Sequence, residues 1–205
     1  MSDDHDQLRT DLLAYLHEQT LGDPIHARPA VIEYDADLSN RGANPDLVVA
    51  LATNEGTFHL FNAATGTEYS VYMPSELLPL IKQINGPFDP TGTDSTRFGI
   101  YGLDGSPVIR VHDADGDGVL NDGGDIVHAF LTQRRGGRSI FALNIRNRTA
   151  PGLLWKITGG VSGDDFENLG QTWSEPVLAT LKGRGTGGGG SAGAGLWRGV
   201  RSGAG

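Results

Sequence analysis

The sequence contains no cysteine, which excludes disulfides, thiolate catalysis and cysteine-based metal sites together. Long apolar runs are also missing: none approaches the ~20 residues that a membrane-spanning helix needs. Positive charge is scarce, with 16 Lys and Arg against 25 Asp and Glu and a net charge of −9. Nucleic acid is therefore not an expected partner, because binding it relies on a basic surface. The opening MSDDHDQLRT has neither the basic start nor the apolar stretch of a secretory signal, so no export signal is expected in this chain. There is no G-x-S-x-G, no phosphate-binding loop and no H-E-x-x-H, and no pair of acids stands out as acid and base. The six histidines show no ligand spacing. These absences point away from an enzyme.

Glycine is abundant but unevenly placed. From Lys182 to Gly205 there are 11 glycines and four bases in 24 residues, without one acid. Such a segment cannot repay its ordering entropy and reads as a flexible tail over 182–205. Residues 1–181 then carry −13. At the other end, Leu8, Leu12, Leu13 and Leu16 share one helical face, so an amphipathic helix is expected within 1–20.

Between these ends lies a repeat. RPAVIEYDAD (28–37) aligns without a gap on SPVIRVHDAD (106–115). Downstream, DLVVALAT, GTFHLFNAATG and TEYSVYMP match DIVHAFLT, RSIFALNIRN and GLLWKITG, and a third copy begins at SEPVLATL (174–181). Each full copy holds four short runs rich in Val, Ile, Leu, Phe and Tyr, separated by Gly, Asn, Asp and Thr, which is how strands and turns are written. The expected fold is all-β: a partial β-propeller over 21–181, with two four-stranded blades and the first strand of a third. Competing arrangements are a small sandwich of the same strands, or completion by other copies. PSELLPLIKQI is expected to add a short helix with Ser75 as N-cap and Pro79 in its first turn. Two blades cannot close a ring, so wet blade edges are expected to favour self-association. Trp155 and Trp173 are expected to pack between blades, and Arg134, Arg135 and Arg138 to form a solvated hairpin tip.

Most informative is HDADGDGVLNDGGD (112–125), which crowds five aspartates into one connection between strands. Like charges this close call for a neutralising partner. Asp113, Asp115 and Asp117 occupy positions 1, 3 and 5 of a loop with Gly118 at position 6; Val119 would offer its carbonyl and Asn121 its side-chain oxygen. Oxygen donors without sulfur or imidazole favour Ca²⁺ over zinc or copper. An EF-hand is excluded, since position 12 is Gly124 and the flanks are strands. Asp122 and Asp125 are alternative substitutes for the missing ligand, and spacing does not choose between them. The equivalent loop of the first copy, DADLSNRGANPD, keeps Asp35 and Asp37 but has Ser39, Asn40 and Arg41 in place of Asp117, Gly118 and Val119, so it is expected to be a degenerate site or one that never bound a cation.

LGDPIHARPAVI, ATNEGTFHLFNAATGTE, VYMPSELLP, LDGSPVI, GGRSIFALNI, LLWKI and LGQTWSEPVLATL resemble, in the same order, the C-terminal propeller of PilY/PilC-type proteins, the tip adhesins and assembly factors of bacterial type IV pili. The resemblance covers about 21–181. It implies a quinoprotein-like propeller at the cell surface, with a regulatory calcium loop falling on Asp113, Asp115, Asp117 and Val119. It departs from the family pattern at Asn121, where an aspartate is usual. It further implies pilus components (minor pilins) and a host surface as partners, with calcium occupancy switching between pilus extension and retraction. The blade pattern G-x-x-x-x-x-N-A-A-T-G also occurs in quinoprotein (PQQ-type) dehydrogenases, which is the alternative reading. An integrin-like array of calcium loops is disfavoured by the degraded loop of the first copy.

Overall fold

The computed structural model describes Thr10 and residues 21–40, 44–80 and 101–179. The expected helix within 1–20 and the glycine-rich tail from 182 lie outside the described residues, Thr10 excepted. The fold is all-β. Strands β1 (Ala30–Asp35), β2 (Asp46–Ala52), β3 (Phe58–Asn62) and β4 (Glu68–Tyr72) form one antiparallel sheet; β5 (Val108–His112), β6 (Ile126–Thr132), β7 (Ser139–Asn144) and β8 (Gly152–Thr158) form a second. Both are simple meanders, β1-β2-β3-β4 and β5-β6-β7-β8.

Alternation places the apolar side chains. Val48, Ala50 and Ala52 of β2 stand opposite Asn62, Leu60 and Phe58 of β3, while Ala129 and Leu131 of β6 face Leu143 and Phe141 of β7. Their apolar members are fully buried and meet in one core, with Ile32, Tyr34, Leu103 and Leu120. Period-2 burial of small residues on β2 and β6 against Phe and Leu on β3 and β7 lets two sheets approach closely without voids.

The sheets pack with the same polarity, so that a residue meets its own counterpart in the next repeat. His26 Nδ1 lies 2.6 Å from Asp104 Oδ1 and the Arg28 amide donates to Ser106 Oγ (3.1 Å), each pair 78 residues apart; farther along, Ser70 Oγ of β4 donates to the Arg148 carbonyl in the turn before β8 (2.7 Å). At the pre-proline position the series continues into the third copy, where Arg28 pairs with Glu175 at 2.6 Å. Three equivalent positions thus gather at one end of the sheets. These contacts join equivalent segments of successive repeats side by side, as tandem blades do.

Tyr34 pins the seam. Its hydroxyl donates to the Ile145 carbonyl at 2.5 Å, and burial chiefly holds the phenol above its ordinary pKa, so it stays a donor. Tyr34→Phe is expected to cost about 1–2 kcal/mol in urea unfolding, because a buried carbonyl loses its donor while the ring remains.

Three expectations are corrected. Residues 174–179 form no strand, since the sheets' order leaves this segment without a neighbouring strand to pair with among the described residues. Trp155, on edge strand β8, is 36 % exposed beside Phe130, and Trp173 is 45 % exposed beneath Arg134 and Arg135; neither lies between the two sheets. The arginine tip is accordingly ordered by stacking on Trp173, and Arg135 also stacks on Tyr101. The segment after β4 is a 3-10 helix, Ser75–Leu80, with Pro79 inside it. It opens with the Leu77 amide on the Pro74 carbonyl rather than with a Ser75 cap, and it buries Leu77 in the core.

Candidate metal centre

The aspartate loop joins β5 to β6 at the end of the sheets opposite the pre-proline cluster. Left-handed backbone favours glycine at Gly116 (φ +76°) and Gly118 (φ +83°), and at Gly118 a Cβ would also fall 2.7 Å from Leu38 Cδ1. The close neighbour lies in the 3-10 turn Leu38–Asn40, between β1 and β2 of the first repeat. The Ala36 amide donates to the Gly118 carbonyl (2.9 Å) and the Leu120 amide to the Tyr34 carbonyl (2.8 Å), making an antiparallel bridge between Asp35 and Val119. The degenerate loop of the first repeat therefore braces the acidic loop of the second. Sequence reasoning missed this brace, and the repeat was the only signal for it, since it placed the two loops at equivalent positions of adjacent sheets.

Within the loop the carboxylates converge. Oxygens of Asp113, Asp115 and Asp117 lie within 4.8 Å of one another, as do those of Asp115, Asp122 and Asp125. Asp115 belongs to both groups. Short side-chain-to-amide bonds set this shape: Asp113 accepts from Gly116 (2.7 Å) and Gly118 (2.8 Å), Asp115 from Asp117 (3.1 Å), and Asp117 from Val119 (2.7 Å). Because the Gly118 and Gly116 amides stabilise its charge, Asp113 is held below the usual carboxylate pKa. Asp115 is different. The Asp117 amide lowers its pKa, but desolvation and the charges of Asp117 and Asp122 outweigh that and hold it above the ordinary value. Like-charge crowding is thus centred on the carboxylate the two groups share.

Asp122 and Asp125, which spacing could not tell apart, occupy different environments. Asp125 is buried, and its two oxygens accept from the Ala114 and Asp122 amides, both at 3.0 Å. Asp122 is exposed and accepts once, from Gly124 at 2.9 Å. Asp125 closes the loop on itself, whereas Asp122 keeps an oxygen uncommitted. Val119 uses its flanking residues for the inter-sheet bridge, and its own carbonyl accepts only from the Asn121 amide at 3.1 Å. Asn121 is exposed at the loop's rim.

In the first repeat, Asp35 accepts from the Asp37 amide at 2.7 Å and Asp37 from the Ser39 hydroxyl at 2.9 Å. Among the described residues no third acid joins them. No histidine joins a ligand group there either: His59 is held by Glu68 (2.5 Å) and Thr57 (2.7 Å), and His26 by Asp104. No helix among the described residues is long and apolar enough to cross a membrane.

No family model matches the chain. Among curated proteins it is similar to the type IV pilus biogenesis factor PilY1 of Pseudomonas aeruginosa (strain UCBPP-PA14), 28% identical over 182 residues, which is 80% of this chain and 14% of that protein. It is also similar to a PilY1 homolog of Xylella fastidiosa (strain Temecula1 / ATCC 700964), 29% identical over 145 residues, 67% of this chain and 10% of that protein. Among solved structures it is similar to the crystal structure of the Pseudomonas aeruginosa PilY1 C-terminal domain, with TM-score 0.44 and 23% identity over 70% of this chain and 24% of that one. The chain has homologues among PilY1 type IV pilus biogenesis factors and spans a small part of their length.

Proposed function

We propose that this chain is a calcium-binding propeller segment of a type IV pilus biogenesis or adhesion protein, without catalytic activity of its own. The observation that carries the reading is the meeting of Asp113, Asp115 and Asp117 within 4.8 Å, on a chain whose homologues are pilus biogenesis factors. Those three carboxylates, the Val119 carbonyl and the Asn121 side chain would hold Ca²⁺, with Asp122 completing the set. Asp125, buried and tied to the Ala114 and Asp122 amides, would chiefly hold the loop closed, whereas the exposed Asp122 is the freer of the two. The cation would supply the positive charge that the loop lacks.

Regulation follows from the brace. The loop that would hold calcium is bonded through Gly118 and Leu120 to Ala36 and Tyr34 of the neighbouring sheet. Filling the site would stiffen the seam between sheets, and emptying it would leave repelling carboxylates on that seam. In a pilus protein such a two-state element would let calcium occupancy set extension against retraction, or adhesion, with minor pilins or a host surface as the partners that sense it.

Calorimetric titration of the metal-free chain with calcium tests the reading. One site per chain is expected, with magnesium a poor substitute because it demands tighter octahedral geometry and sheds water reluctantly. Two equivalent sites, or no heat with calcium, would sink the assignment.

A further inference from the structure

A cleft of about 590 Å³ opens between the two sheets beside the acidic loop, walled by the β7–β8 turn on one side and by Tyr34, Asp35 and the loop residues Val119–Asn121 on the other. Its two arginines differ in state. Arg148 is committed: it pairs with Asp46 and its guanidinium lies over the rings of Tyr69 (4.5 Å) and Tyr34 (5.2 Å). For Arg146 no ion pair is seen among the described residues. Its Nη1 is buried yet makes no hydrogen bond. A guanidinium nitrogen withdrawn from water without an acceptor is unfavourable and rare in folded proteins. It marks a place where an acceptor from outside would fit.

We propose that this cleft binds a carboxylate of an acidic peptide segment, with Arg146 as its charged anchor. The volume falls within the range of small-ligand pockets, roughly 300–1,000 Å³. Arginine suits a carboxylate because its planar fork donates two parallel bonds. Asn147 and Thr149 line the same cleft and supply polar side chains for a peptide backbone. Asp46 is answered by Arg148, and Asp35, the other acid on the cleft wall, accepts the Asp37 amide, while Arg146 Nη1 bonds to neither. The cleft borders the proposed metal centre, since Val119 and Asn121 lie on its wall, but its anchor Arg146 is none of the proposed metal ligands.

The full chain, labelled with ¹⁵N, is titrated with the pentapeptide acetyl-Gly-Glu-Gly-Glu-Gly-amide and with its glutamine counterpart, in calcium and again in EDTA. Saturable binding of the glutamate peptide is expected in both buffers, with the Arg146 Nε–H resonance shifting. Arg146→Gln should weaken it by about tenfold or more, the scale of one lost charge-assisted contact. Arg146→Lys should fall between, keeping the charge without the fork. Arg135→Gln, at the opposite end of the sheets, should bind as the wild type does. Equal binding of the glutamine peptide, or wild-type affinity in Arg146→Gln, overturns the proposal. So does binding that needs calcium and ignores Arg146, which would place the carboxylate on a cation instead.

Discussion

Calcium is expected to raise the melting temperature of the wild-type chain, and replacing Asp115 by alanine is expected to abolish that rise. Asp115 is the carboxylate common to both acidic groups, so under the proposed assignment its loss would remove a central ligand rather than a peripheral one. It is also where the charges of Asp117 and Asp122 press hardest. A ligand that binds only the folded state stabilises by RT ln(1 + [L]/Kd), about 2.7 kcal/mol at a hundredfold excess over Kd. For a domain of this size that is a rise of roughly 5–10 °C, and in Asp115→Ala it should vanish. Without calcium the variant should melt at or above the wild-type temperature, because a repelling charge is gone. Asp37→Ala should keep the full calcium response, and Asn121→Asp should enlarge it by adding ligand charge. A response lost in Asp37→Ala but kept in Asp115→Ala would move the site to the first loop.

How this site was legible in sequence, and where legibility stopped, depends on interaction range. D-x-D-x-D-G is a local pattern, and local side-chain-to-amide bonds make its shape, so Asp113, Asp115 and Asp117 could be named together from spacing alone. Asp122 and Asp125 differ by which amides they accept, and that depends on how the far end of the loop folds back on Ala114. The brace from Ala36 and Tyr34 is longer in range still. The strands show the same limit. All eight were evident from β-branched and aromatic runs, yet aligning the repeats on Asn62 and Asn144 sets His59 against Phe141. In the structure Phe58 and Leu60 face Ala52 and Ala50, as Phe141 and Leu143 face Leu131 and Ala129. The copies are one residue out of step along β3 and β7. Alternation reports that a strand has two faces, but only packing selects which register buries the larger side chains. The tryptophans went astray for a related reason. Their size suggested a core role, while β8 is an edge strand whose Leu153, Leu154 and Trp155 stay exposed.

Adding a single methyl group at Gly102 is expected to destabilise the chain by about 3 kcal/mol, the upper end of overpacking costs. Gly102 lies on the connection between the sheets, at the end opposite the acidic loop. Its amide donates to the Asn54 carbonyl at 2.7 Å, which draws the turn between β2 and β3 against the connection. A Cβ there would sit 2.2 Å from the Gly56 Cα and 2.4 Å from its amide nitrogen. Both are backbone atoms, so no rotamer change relieves the clash. From the other side the turn that contains Gly136 closes in: a Cβ on Gly136 would lie 2.1 Å from the Gly102 carbonyl oxygen. Three backbone segments are thus stacked at glycine spacing, and one methyl must separate them. Gly102→Ala should lower the melting temperature by roughly 6–12 °C. Gly152→Ala is the control, because nothing lies within 4 Å of its added Cβ; it should change stability by less than about 0.5 kcal/mol. The contrast separates loss of sheet docking from any general intolerance of the chain to substitution. If Gly102→Ala melted like the wild type, the connection would not be clamped between the two turns. The sheets would then be joined chiefly at the acidic-loop end, where Tyr34 and the Gly118 brace hold them.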